Sequence, residues 1–297
     1  MNILLTNISL AKPGGSETFT YTMAKELIRR GHNVYVFTFK KGLVYDRIIN
    51  DLKAHYMRDD IEYDLILANH TTCVDFVYGK GPIIHTCHGY IPPPEQPNPK
   101  ADFHVGISQE VVDYLSSKNF KSNLIHNGID CERFDKIKET NSSLTNVLSL
   151  VQNDETNERL SKICDSLSIN FKSFNKKSNF IWDVENKIND ADLVISLGRG
   201  AYESFACARQ VLVYDTRSYF KPFGDGLVTS DNIKELIKNN CSGRRYKKTY
   251  SDSDIIAELM AYDSTEGDRM REFALKELNI SNQIDKYFEI FNKNFYK

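Results

Sequence analysis

Gly14 and Gly15, in the run Pro13-Gly14-Gly15-Ser16-Glu17, stand where a first strand gives way to a first helix. That junction is where α/β proteins commonly hold phosphates. Successive glycines permit positive φ and close approach of backbone to ligand, and Ser16 is placed to cap the helix. The free N–H groups and the positive end of the helix dipole then suit an anion. Taken locally, the pair reads equally well as a tight turn that needs glycine. Neither Gly-x-Gly-x-x-Gly nor a Walker lysine motif is present, so the dinucleotide fingerprint and the P-loop are both excluded. Six cysteines, at 73, 87, 131, 164, 207 and 241, form no Cys-x-x-Cys pair, and several lie in apolar settings. They suggest reduced thiols, with neither zinc nor a disulfide framework.

The elements that must position this loop are short apolar runs separated by helices. Residues 1–8 read as a buried strand, and the helix over 16–30 places Phe19, Met23, Leu27 and Ile28 along one face. Further strands are expected at 33–39, 64–69, 82–87, 103–107 and 123–126, with a helix from 109 to about 118. Such alternation implies a parallel, doubly wound sheet whose ligands sit at the carboxyl ends of the strands, where the glycine pair lies. Between 132 and 146 the pattern turns polar, and the run 136–143 resembles a linker. A second series follows, with strands at 146–151, 169–174, 179–182, 193–196 and 210–214 and helices at 155–167, 184–189 and 201–208. Helices near 232–239, 253–260, 267–278 and 281–295 close the chain, and Ile284, Tyr287, Phe288, Phe291 and Phe295 give the last one an apolar face that must pack on something. The expected architecture is α/β, with two Rossmann-like domains facing each other across a cleft.

Composition narrows the partners. At 297 residues the chain suits two cores better than one. Its 38 Lys and Arg against 40 Asp and Glu give no overall field to attract nucleic acid or an anionic membrane. The densest basic cluster, Arg244-Arg245-Tyr246-Lys247-Lys248, reads as a solvated loop, with weak contact to membrane phosphates as the alternative. No apolar run approaches the roughly 20 residues that cross a bilayer, and the N-terminus lacks a signal-peptide profile. A cytoplasmic protein is expected, with peripheral contact at the inner face of a membrane as an option.

With these pieces in order, the chain resembles the GT-B glycosyltransferases, and among them the retaining glycosyltransferase family 4. The fragments that carry the likeness are the Gly-Gly-Ser-Glu loop, His85-Thr86-Cys87-His88-Gly89, Val105-Gly106-Ile107-Ser108, and Asn127-Gly128-Ile129-Asp130 with Phe134 following. In the second half they are Ala191-Asp192-Leu193-Val194-Ile195-Ser196 and the block from Gly198 to Asp215. The resemblance covers nearly the whole chain. It implies a GT-B fold with an N-terminal acceptor-side domain over 1–140, joined by the final helix 281–297, and a donor-binding domain over 141–280. It also implies a nucleotide-sugar donor, a glycan, lipid-linked or small-molecule acceptor, a place in polysaccharide biosynthesis, and neither a cofactor nor a metal.

The same resemblance assigns residues. Departure of a diphosphate builds negative charge that preorganised donors must meet. Gly198 and Gly200 flank Arg199 at a strand-to-helix turn, where amides, helix dipole and guanidinium would face it. Glu203 occupies the place of the second glutamate in the family's Glu-x7-Glu motif, which takes the ribose hydroxyls, and Tyr202 lies in the same donor segment. His88 matches a histidine near the transferred sugar, in polar contact rather than as a base. Catalytic roles are therefore expected of His88 and Arg199, and donor contacts of Gly14, Gly15, Gly198, Gly200, Tyr202 and Glu203. His70, His85, His104 and His126 read as structural. The Asp-x-Asp spacings at 190–192 and 252–254 read as caps rather than metal ligands. Two departures stand out. The Arg and Lys usual after the second domain's first strand are replaced by Val151-Gln152-Asn153-Asp154, and Ile195 stands where the first glutamate belongs. Arg199 is the candidate to compensate. Without that compensation the alternatives are a non-catalytic nucleotide-sugar-binding partner subunit or an epimerase-like enzyme of the same fold.

Overall fold

In the computed structural model, which describes residues 1–175, 179–217 and 221–295, the chain divides into Met1–Gly128 with the segment from Ile280 onward, and Ile129–Asn279. The first unit is built on seven parallel strands: β1 (Asn2–Ser9), β2 (Asn33–Lys40), β3 (His55–Tyr56), β4 (Leu65–Asn69), β5 (Ile83–Cys87), β6 (Phe103–Gly106) and β7 (Ser122–Leu124). Their spatial order is β3-β2-β1-β4-β5-β6-β7. The chain runs outward from β1 to one edge and returns to start β4 on the other side. The loops leaving β1 and β4 therefore diverge, which opens a crevice at their carboxyl ends. β4 and β5 are buried along their whole length, as strands of a sheet covered on both faces are.

The crossover helices are α1 (Gly15–Arg29), α2 (Leu43–Asn50), α3 (Thr71–Val77) and α4 (Gln109–Ser117). α1 buries Phe19, Thr20, Met23, Ala24 and Leu27, the face its spacing predicts. Residues Ile280–Phe295, the last helix of the chain, pack against α1 in this unit. Arg30 bonds Asp285 and the Ser281 carbonyl there, and Tyr287 shares a buried 2.8 Å hydrogen bond with Thr86 on β5. Burial alone would raise the Glu26 carboxyl, yet the guanidiniums of Arg29 and Arg30 hold it below its ordinary value.

The second unit has β8 (Asn146–Ser149), β9 (Asn170–Ser173), β10 (Leu193–Ser196) and β11 (Gln210–Asp215) in parallel, with β12 (Phe223–Leu227) antiparallel at the edge. The order β12-β11-β10-β8-β9 places the reversal of direction between β8 and β10. Its helices are α5 (Asp154–Ser166), α6 (Val184–Asn189), α7 (Arg199–Ala206), α8 (Ile233–Leu236), α9 (Asp252–Met260) and α10 (Glu266–Phe273). A π turn over 274–278 then leads into α11 (Ile280–Phe295).

Two expectations need correction. The division falls after Gly128 rather than near 140, because Ile129, Cys131 and Phe134 sink into the second core. The polar run behind them is held there too: Asp192 accepts hydrogen bonds from the Asn141, Thr145 and Asn146 amides, and Asn189 from that of Ile137. No strand forms over the described residues 179–182. The basic run 244–248 is the largely exposed loop that was expected, and it is anchored from beneath, since buried Asp225 accepts the Tyr246 amide while Arg245 and Lys248 reach Glu235 and Glu258. Among the described residues no helix is long and apolar enough to cross a membrane.

Candidate functional site

In the first unit the residues of interest gather at the switch point. Gly14 is itself the N-cap of α1, with extended backbone at φ −168°, and no side chain caps the helix. Neither Gly14 nor Gly15 uses positive φ. Ser16 does not cap; its hydroxyl turns to Glu17 instead. A Cβ on Gly14 would stand 2.5 Å from Glu17 Oε2, whereas one on Gly15 would meet nothing within 4 Å. The protein's own packing therefore places no demand for glycine at 15.

His88 follows β5 and is half-buried. Its Nε2 lies 2.8 Å from Asn69 Oδ1, and its ring stands edge-on to Phe19 at 5.1 Å. Asn69, the last residue of β4, is fixed through its amide nitrogen to the Thr6 carbonyl and the Thr20 hydroxyl. Thr20 also bonds the Ser16 carbonyl and Asn7. One network thus joins β1, α1, β4 and the residue beyond β5, and it ties His88 to the first turn of α1. Sequence reasoning missed Asn7, Thr20 and Asn69; the only local signal was a polar residue ending an apolar strand.

The other histidines divide by environment. His70 precedes α3 with φ 75°, a strained geometry for a non-glycine residue, and its Nδ1 accepts the Ile8 amide at 3.4 Å. Burial pulls its pKa down to about 4. His85 is fully buried, and burial takes it to about 3. His104 and His126 bond the Asn98 and Ile107 carbonyls.

In the second unit, Gly198 caps α7 at φ 54°, at the carboxyl end of β10 beside the switch point, and its amide donates to the Cys241 carbonyl. This is a position that requires glycine. Gly200 is needed for a different reason: a Cβ there would lie 2.4 Å from Ser196 Oγ, so its absence lets α7 sit close on β10. Arg199 is buried and forms an ion pair one turn along the helix with Glu203, Nε to Oε1 at 2.9 Å. Burial pushes the Glu203 carboxyl up, and Arg199 and Arg133 oppose that shift. Arg133 in turn lies over the Trp182 ring at 4.9 Å and pairs with Glu185. Tyr202 is fully buried in the core with Phe205 and Ala206.

The remaining charged candidates have structural work. Asp190 pairs with Lys138, Asp192 holds the 141–146 turn, Asp252 pairs with Arg159 and Asp254 closes a capping box with Ser251. Arg159 also bonds the Tyr250 carbonyl. Arg209, which no local pattern singles out, is fully buried with its guanidinium bonded to the carbonyls of Lys138, Asn189, Ala191 and Cys207. It rivets the segment after the division to β11.

Comparison with known proteins agrees with this architecture. Residues 13–133 match the family model described as Glycosyltransferase Family 4. A glycosyltransferase from Rickettsia africae ESF-5 superposes with a TM-score of 0.63 at 14% identity, covering 98% of each chain. MurG from Acinetobacter baumannii superposes with a TM-score of 0.54 at 11% identity, covering 98% of this chain and 99% of its own. The spinosyn rhamnosyltransferase SpnG, in a structure with thymidine diphosphate, gives 0.53 at 8% identity, covering 97% of this chain and all of its own. A search of curated protein sequences found no match. The fold is that of the GT-B glycosyltransferases, and the resemblance to family 4 holds over the stretch that contains the glycine loop and His88.

Proposed function

We propose that the chain is a glycosyltransferase that moves a sugar from a nucleotide-sugar donor to a glycan, lipid-linked or small-molecule acceptor, with retention and without a metal. The observation that carries this reading is the family match over 13–133, which contains both Gly14-Gly15 and His88. Within that unit a hydrogen-bond network joins α1 to His88 at the switch point of the sheet. Ligands of open α/β sheets bind at such points. Here Gly14 and Gly15 offer first-turn amides of α1, and His88 makes a polar contact with the transferred sugar.

The donor falls to the second unit, at the reversal between β8 and β10. The N-terminus of α7, with Gly198 and Gly200, supplies amides and dipole to the diphosphate, and Glu203 meets the ribose. Arg199 then serves as the counter-ion that keeps Glu203 ionised rather than as the main diphosphate clamp. In the retaining step the bond between the anomeric carbon and the diphosphate oxygen breaks. The acceptor oxygen bonds that carbon on the same face, and its proton passes to the departing diphosphate. SpnG with thymidine diphosphate and an α-glucosyltransferase with UDP, both of this fold, support a nucleoside-diphosphate leaving group as the class.

A thermal-shift panel of nucleoside diphosphates and nucleotide sugars tests the reading, because a ligand that binds only the folded protein stabilises it by RT ln(1 + [L]/Kd). One nucleotide series should raise the melting temperature, with EDTA making no difference, and Glu203→Gln should reduce the shift. A flat response across the panel would sink the proposal. A specific observation keeps the non-catalytic reading in play: Arg159, the first cation after β8, is engaged with Asp252 and the Tyr250 carbonyl. A partner subunit would show the thermal shift without turnover.

A further inference from the structure

The hydrogens of the Asn69 amide determine which nitrogen of His88 carries its proton. Asn69 Nδ2 lies 3.0 Å from the Thr6 carbonyl oxygen and 3.2 Å from Thr20 Oγ1. A backbone carbonyl only accepts, so the group facing Thr6 must be the NH2 end. Rotating the amide by 180° would set two acceptors against each other in a place where Asn69 is 5% exposed.

Thr20 closes the same argument from α1. Its hydroxyl lies 2.9 Å from the Ser16 carbonyl, which can only accept, so the hydroxyl hydrogen points there. Its two lone pairs are then met by Asn7 Nδ2 at 3.1 Å and Asn69 Nδ2 at 3.2 Å. Asn7 is oriented independently, since its Oδ1 accepts the Ser9 amide and its Nδ2 donates to the Ser16 carbonyl. Every donor in the chain from Ser16 to Asn69 is thus assigned, and Asn69 Oδ1 is left to face His88 Nε2 at 2.8 Å. Phe19, from the same helix as Thr20, fixes the plane of the imidazole by its edge-on contact.

We propose that Asn69 and Thr20 are positioning residues that hold neutral His88 as its Nε2–H tautomer, with the lone pair on Nδ1. The inference rests on the proposed role of His88 only for its consequence in turnover; the tautomer itself follows from the network. A histidine held this way does not have to select a tautomer when a substrate binds.

Protein labelled with 15N-histidine, examined above pH 8 by long-range proton–nitrogen correlation, reads the tautomer directly. His88→Gln identifies the resonances by their loss. The wild type should show Nε2 as the protonated nitrogen and Nδ1 as the bare one; an Nδ1–H ring or an even mixture would overturn the proposal. Asn69→Leu removes the acceptor and Thr20→Val removes its support, so both should convert His88 to a mixture, while Thr20→Ser should keep the wild-type pattern. Unchanged His88 signals in folded Asn69→Leu would equally overturn it. If the reading of His88 at the sugar is also right, kcat in Asn69→Leu and Thr20→Val should fall about tenfold with KM little changed, which is roughly one charge-free hydrogen bond lost in the transition state. Altered tautomer signals with unaltered turnover would support the positioning claim and remove His88 from the chemistry.

Discussion

Replacing Arg199 with alanine should destabilise the second unit rather than merely slow a reaction. The guanidinium is buried, 2.9 Å from Glu203 Oε1, and Glu203 is itself only 7% exposed. Removing one partner of a buried pair leaves an uncompensated charge, at a cost of about 3–5 kcal/mol. Arg133 also acts on Glu203, so the lower end, about 3 kcal/mol, is expected. Replacing both members by methionine should recover most of the loss, because a well-packed apolar pair is often neutral or stabilising relative to a buried ion pair. The protein contains one tryptophan, Trp182, and it belongs to this unit against Arg133. Its fluorescence in urea therefore reports the unfolding of the second unit for wild type, Arg199→Ala and the double variant. A loss below about 1 kcal/mol in Arg199→Ala, or a double variant as unstable as the single, would refute the counter-ion role. A large fall in turnover at unchanged stability would return Arg199 to the diphosphate.

Acid should weaken the first unit before its carboxylates titrate. His70 and His85 stay neutral in the folded protein down to about 4 and about 3, whereas in the unfolded chain each takes a proton near 6.5. Their stabilising contribution is therefore complete above about pH 6.5 and is lost as pH falls, by about 2 kcal/mol each at pH 5. Denaturation followed by circular dichroism at pH 7.5 and 5 should show that fall, and His85→Gln should show about half of it; equal stability at the two pH values would contradict the burial argument. Ala208 holds φ at 57° in the turn between α7 and β11, so Ala208→Gly should stabilise the second unit by about 1 kcal/mol. A destabilised variant would mean that its methyl packing outweighs the backbone strain. Gly200→Ala should lose about 1–3 kcal/mol, because the new methyl would meet Ser196 Oγ at 2.4 Å; a neutral result in the same assay would show that α7 can move away from β10.

Much of the scaffold was legible because its signals are local. β4 opens with the apolar run Leu65-Ile66-Leu67-Ala68, α1 shows its buried face at helical spacing, and Gly198 marks a turn that needs positive φ. The burial of Tyr202 was legible too, since with Phe205 and Ala206 it forms a helical i, i+3, i+4 stripe that belongs in a core. β12 was out of reach: Phe223-Gly224-Asp225-Gly226-Leu227 has neither apolar continuity nor clean alternation, and it pairs antiparallel only because β11 offers an edge. The division after Gly128 was hidden for a related reason. Polar residues after 134 look like a linker until Asp192, Asn189 and Arg209, each some fifty to seventy residues further on, tie them down. The partners of His88 come from β1, α1 and β4, so no window of sequence contains them together.

Transfer itself is the most direct test of the central claim. Purified protein should be incubated with the nucleotide sugar that stabilises it and with a pool of glycan, lipid-linked and small-molecule acceptors, then followed by proton NMR. Release of the nucleoside diphosphate should match the appearance of a glycoside with the donor's anomeric configuration, and His88→Ala should abolish both. Nucleotide bound with no glycoside formed from any acceptor would contradict glycosyl transfer, and a product of inverted configuration would contradict the retaining step.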